Sequence, residues 1–426
     1  MSRETHPRSA FGAPPRGGAT SGPAKPAPPW LLGSRGTLLA GRAMRGGVLR
    51  AAALALAALM PLAPHAQLAV EQPSVAPLPA ADAYRLYLVD PAMGHLVDGR
   101  LHVVDGASMK YLALIGTGFA GTSVLSPDRK TIYVATTYYS RLVRGTRADV
   151  VEAYRSDDLT FQYEVEIPPK HVQGLQMKAL GATTPDGRFL LLQNATPATS
   201  ISVVDVQARR FVAEIETPGC YGVIPWPGRP RRFSALCGDG TLATYDLDDA
   251  GKLAGTRVSA PFFQPDVDPL FMHYELTGDR LTLVSYHGQV YGVDLAGEQP
   301  AFVPPWSLLD AAARKQGWRP GGYELFAIDA GRLYVAMHDH GTEGSHKNPA
   351  KEIWVVDLKT QRRLARMPGQ AVISMAVSHG EAPRLFALSG ADNRLLAWDL
   401  RRLVPPYKPL ARSEPVGETP VYLAVH

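Results

Sequence analysis

Cysteine is nearly absent: 426 residues hold two, Cys220 and Cys237. Sixteen residues separate them, which does not match the close spacing of a metal-ligand pair, and neither sits in a reactive-cysteine motif. A bridge between them and two unrelated buried thiols both remain open on spacing alone. The chain also lacks a Gly-x-Ser-x-Gly nucleophile elbow, a P-loop and a dinucleotide fingerprint. Its nearest glycine cluster, Gly116-Thr-Gly118-Phe-Ala-Gly121, has neither the final glycine spacing nor a following helix. Serine-hydrolase and nicotinamide chemistry therefore have no motif to rest on.

Acidic residues are scarce in one region. The first 66 residues carry eight Lys/Arg against Glu4, leaving 36 basic and 38 acidic residues in the remainder, so the formal charge of +5 belongs to a leader. The rest, with a net charge of −2, offers nothing that calls for nucleic acid. Within the leader, Met44-Arg-Gly-Gly-Val-Leu-Arg50 reads as a charged n-region and Ala51–Met60 as an apolar h-region too short to span a bilayer. The reading is a signal peptide over 44–66, export to the periplasm without a membrane anchor, an N-terminal extension over 1–43 that is disordered or upstream of the true start, and a flexible segment over 67–83.

What is abundant is punctuation. Forty glycines and 37 prolines fall largely between short Val/Ile/Leu/Tyr-rich runs, as in all-β chains. From residue 84 onward an apolar strand ending in aspartate recurs: Leu101–Asp105, Ile201–Asp205, Leu242–Asp246, Val290–Asp294, Ile353–Asp357 and Leu395–Asp399, with Val150–Tyr154 in the same slot without the aspartate. Seven units at about 49 residues each predict an all-β, seven-bladed β-propeller of four-stranded antiparallel blades over 84–426. The aspartates are expected to accept hydrogen bonds from their own turns. Ser126–Lys130, Thr184–Arg188 and Cys237–Thr241 read as tight turns between strands, and Pro420–His426 as a strand that pairs near the start of the repeat. One short helix is expected over 307–316, with Ser307 as N-cap and Gly317 as stop.

His338-Asp-His340 with His346 has a metal-like look, since His-x-His on a strand places both rings on one face. The surrounding glycines favour a polar loop that meets a partner, and no metal is assigned.

The strings Thr136–Glu152, Pro168–Gly174, Gln193–Ser200, Trp318–Tyr323, Gly344–Trp354 and Asp357–Arg362 resemble the heavy subunits of amine dehydrogenases, most closely that of aromatic amine dehydrogenase and in part that of methylamine dehydrogenase. The resemblance implies an α2β2 heterotetramer that converts primary amines to aldehydes and ammonia. Its tryptophan tryptophylquinone is carried by a small light subunit, and its electrons leave to an azurin- or amicyanin-like copper protein. It implies no cofactor and no catalytic residue in this chain, a substrate-channel role for Phe119, and a disulfide between Cys220 and Cys237. The competing readings are a secreted propeller that binds a ligand or protein, and a lactonase-like hydrolase, which needs metal ligands converging on one site.

Overall fold

The computed structural model describes residues 76–426. The expectations for 1–43, for the signal peptide over 44–66 and for most of 67–83 lie outside the described residues. In the segment that precedes the first strand, the Leu78 N–H donates to the Asp157 carbonyl (2.7 Å).

The described chain is built from antiparallel sheets. Four have four strands, and a fifth adds the two-residue strand Arg319–Pro320 to a four-stranded ladder. The remaining sheet has seven strands, because the long strand Lys110–Leu125 serves two partners. Its first half pairs with Gly99–Asp105 and its second half with Thr131–Tyr139. The change of partner falls at Gly118–Phe119, next to a register shift between Phe119 and Thr122. Both Gly118 and Ala120 have positive φ (58° and 53°), as expected where an extra residue bends a strand.

All seven repeat strings lie on the third strand of a four-stranded ladder, flanked on both sides. There Leu101, Val103 and Val104, like Ile201, Val203 and Val204, are almost wholly buried. A continuous apolar run means that both faces of the strand are covered, so neighbouring sheets must stack against it. Each such side chain contributes about 1.5–3 kcal/mol on burial. The fourth strand Arg362–Pro368 alternates instead and faces solvent on one side.

Five of the six strand-ending aspartates act as expected: Asp105 accepts from the Ala107 N–H, Asp205 from Ala208, Asp294 from Ala296, Asp357 from Thr360 and Asp399 from Arg401. Asp246 departs from the pattern, because the Arg232 and Arg257 guanidinium groups on the two adjacent strands take up its oxygens. The expected terminal pairing is present, with Tyr422–Val425 running antiparallel to Arg85–Asp90. Cys220 and Cys237, opposite one another on neighbouring strands, form a disulfide.

The helix differs from expectation. It spans Ala311–Lys315, and its N-cap is Asp310, whose carboxylate accepts from the Ala313 N–H (2.7 Å). Ser307 is still paired with Gln289 as the last residue of a strand. Gly317, at φ 67°, does terminate the turn. Among the described residues no helix is long and apolar enough to cross a membrane.

Candidate functional site

Phe119 sits on the bulge at which its strand changes partners, half-buried, with its ring edge-to-face on Tyr139 at 5.9 Å. The bulge is held from behind by Gln176, whose amide donates to the Ala120 carbonyl (2.9 Å) while its Oε1 accepts from the Thr122 hydroxyl (2.9 Å). Gln176 thus braces the backbone just after Phe119.

Three of the sequence strings meet next to the strand that carries this ring. Thr136–Glu152 forms two paired strands around the loop 140–146, and its Asp149 is almost fully buried. That carboxylate is saturated: Arg147 donates to both oxygens (2.7 Å each), the Thr137 hydroxyl to one (2.8 Å) and the His171 backbone N–H to the other (2.8 Å). Arg147 also reaches the His171 carbonyl (3.0 Å). His171 in turn bridges to Asn194, which joins Pro168–Gly174 to Gln193–Ser200. The His171 ring approaches Thr122 Oγ1 at 3.3 Å. Burial drives its pKa down to about 4, with the Arg147 charge reinforcing and Asp149 opposing, so the ring is neutral in the folded protein. Opposite the network, the tip of the loop exposes Leu142 and Val143 (71% and 61%) between Arg141 and Arg144.

The histidine trio does not assemble. The strand ends at His338, which is buried against Gly321, whereas His340 lies outside the strand at φ 52° and is exposed. His346 stacks on Tyr286 at 4.9 Å. Among the described residues no group of three or more His, Cys, Asp or Glu is placed to hold a metal ion.

A second polar centre was not legible in the sequence. His273 Nε2 lies 3.0 Å from Glu324 and 3.3 Å from Glu275, and the Lys178 ammonium lies 3.0 Å from the other Glu275 oxygen. The second Glu324 oxygen accepts from the Lys178 backbone N–H (3.0 Å). Desolvation opposes charge on both His273 and Glu275 but is outweighed: Glu324 and Glu275 raise His273, while Lys178 and His273 lower Glu275 to about 2. The centre thus groups two carboxyl groups, one ammonium and an imidazole whose pKa its neighbours raise. No spacing rule links residues 178, 273, 275 and 324.

Comparison with known proteins covers most of this architecture. The family model described as methylamine dehydrogenase heavy chain (MADH) matches residues 82–404. The methylamine dehydrogenase heavy chain of Methylobacillus flagellatus is 29% identical over 324 residues, 75% of this chain and 80% of that one. Its counterpart from Paracoccus versutus is 31% identical over 339 residues, 77% of each chain. Among solved structures, the β-propeller domain of Cps50 from Myceliophteria thermophila superposes with a TM-score of 0.52 at 11% identity, covering 78% of this chain and 98% of that one; this likeness concerns the fold alone. Since the family match runs from the first strand through the Phe119 bulge to the last repeat, the chain belongs to the methylamine dehydrogenase heavy chain family.

Proposed function

We propose that this chain is the heavy subunit of a periplasmic quinoprotein dehydrogenase that oxidatively deaminates primary amines to aldehydes and ammonia. The observation that carries the reading is the meeting of the 136–152, 168–174 and 193–200 segments next to the 116–121 segment that carries Phe119, within a chain of this family.

In this reading the ladders are seven blades around an axis. Three observations support it: the long strand ends one ladder and begins the next, the last strand pairs with the first, and the leading strands of successive ladders line two adjoining cavities. Closing the sheets on themselves covers both faces of each without leaving long exposed edges.

Phe119 forms part of the wall of the substrate path, and Tyr139 holds the ring at its edge. An aromatic wall suits the apolar body of an aromatic amine, which gains affinity by stacking. The tryptophan tryptophylquinone lies in the partner light subunit and supplies the redox chemistry there. This chain contributes binding and shape. The exposed Leu142–Val143 tip, flanked by arginines, provides apolar area for docking the light subunit in an α2β2 assembly. Electrons leave through the light subunit to an azurin- or amicyanin-like copper protein. The leader over 44–66 directs export, and the Cys220–Cys237 bridge suits an oxidising compartment.

The test is co-expression with a light subunit and its maturation proteins, followed by purification through a tag on this chain. A co-purifying small subunit whose quinone absorbance is bleached by 2-phenylethylamine or methylamine is expected. Failure of any light subunit to co-purify, or amine oxidation by this chain alone, contradicts the proposal.

A further inference from the structure

Three turns of the molecule share one construction. In Ser126–Lys130, Thr184–Arg188 and Cys237–Thr241 the third residue is aspartate, and the fourth sends its N–H back to the carbonyl of the first (2.9, 2.8 and 3.0 Å). The fourth residue is left-handed in all three: Gly187 at φ 70°, Gly240 at φ 84° and Arg129 at φ 61°. Glycine is the residue this conformation favours, because a Cβ there crowds the backbone. Arg129 is thus the one residue with a side chain at this position of the three turns; left-handed non-glycine residues recur among the described residues, Met109, Leu159 and Arg209 included, so any task of the side chain has to be read from what surrounds it.

The surroundings of Arg129 indicate the task. It borders two adjoining cavities of about 510 and 190 Å³ that share Arg129, Lys178, Tyr422 and Ala424 in their walls. The larger is lined mainly by apolar residues, among them Leu125, Ile132, Pro185, Pro225 and Leu276. Among the described residues no carboxylate lies within ion-pair distance of Arg129. Lys178, by contrast, is already committed to Glu275 at 3.0 Å, and the carboxylates of the smaller cavity, Glu275 and Glu324, share His273. One positive charge without an ion-pair partner thus stands at the rim of an open, mainly apolar cavity of ligand size. Arg129 is exposed and lies at the rim of both cavities, beside Tyr87 and Tyr422 in the larger and Tyr422 and His426 in the smaller. An ammonium ion is repelled there, and Phe119 is not part of the wall, so the chamber is separate from the proposed amine path.

We propose that this chamber binds a monoanion with an apolar body, an arylalkyl carboxylate in its simplest form, with the carboxylate on Arg129 and the body between the apolar walls. A planar guanidinium with no other partner matches a carboxylate in two parallel hydrogen bonds.

The experiment is isothermal titration of the purified chain with 3-phenylpropionate. Saturable one-to-one binding is expected, at least tenfold weaker in Arg129→Gly, and at least tenfold weaker for 3-phenylpropan-1-ol, which keeps the body and lacks the charge. Arg129→Gly restores the residue found in the two sister turns and is expected to melt at or above the wild-type temperature, so lost binding cannot be ascribed to lost fold. Arg129→Asn, a second residue that tolerates the left-handed region, is expected to show the same loss. No saturable binding by the wild type, equal affinity for the acid and the alcohol, or wild-type affinity in either variant overturns the proposal.

Discussion

Two buried histidines, His171 and His273, are both about 98–99% excluded from solvent, yet the fold shifts their pKa values in opposite directions. Near His171 the carboxylate of Asp149 is spent on Arg147, Thr137 and a backbone N–H, so its pull toward a protonated ring, opposed in turn by the Arg147 charge, does not offset burial. Near His273 the oxygens of Glu324 and Glu275 lie at the ring nitrogen itself, and they raise its pKa against the cost of burial. Proximity to a carboxylate is therefore not sufficient to charge a histidine. What decides is whether the oxygens are still available when the ring reaches them.

The largest expected effect comes from breaking the charged centre. Glu324→Gln leaves the buried His273 ring short of one carboxylate, and a loss of about 3 kcal/mol is expected on the scale of broken buried pairs, read from urea unfolding. A loss below about 1 kcal/mol indicates that the ring is neutral in the wild type after all.

Asp149→Asn is expected to cost less, about 2 kcal/mol, since the partly exposed Arg147 can turn to water while the buried hydrogen bonds are weakened. NMR of the imidazole nitrogens in that variant should still show a neutral His171 at pH 6. A charged ring would mean that Asp149 itself had been setting its state.

A subtler contrast lies in the pH dependence. The folded pKa of His171 is about 4, below its ordinary value of 6.5. The unfolded chain therefore binds the extra proton, and His171 makes stability fall as pH drops from about 6.5 to about 4. His273 is raised, so its contribution is complete below about pH 6.5 and is lost as pH rises through the folded value. Glu275, lowered to about 2, contributes above its ordinary value of 4.5 and loses that contribution as pH falls toward 2. Unfolding free energies measured across pH should show a flatter acid limb in His171→Asn and a flatter alkaline limb in His273→Gln. The reverse assignment would break the comparison.

Much of the architecture was visible in the sequence, and the reasons are local. The apolar strings ending in aspartate are third strands because burial on both faces demands continuous hydrophobicity, and most of their aspartates cap turns within three residues. The helix cap was misread because Ser307 and Asp310 both suit the role, and strand pairing with Gln289 had already claimed Ser307. Phe119 could be singled out through family likeness, but its support by Gln176 and Tyr139 depends on contacts 57 and 20 positions away in sequence. The His273 centre joins residues as much as 146 positions apart and follows no periodicity. Arg129 resembles an ordinary turn residue until its backbone conformation is set beside that of Gly187 and Gly240.

The proposed role of the Phe119 surface is tested most directly by Phe119→Ala in the assembled heavy and light subunits, with steady-state kinetics on 2-phenylethylamine and methylamine. The side chain is half-buried and lies outside the main core clusters, so assembly and melting temperature should change little. The ratio of kcat/KM for the two amines should shift by about tenfold, the order expected when one aromatic contact is removed from one substrate and not from the other. An unchanged ratio in a fully assembled complex would contradict the assignment of Phe119 to the substrate path.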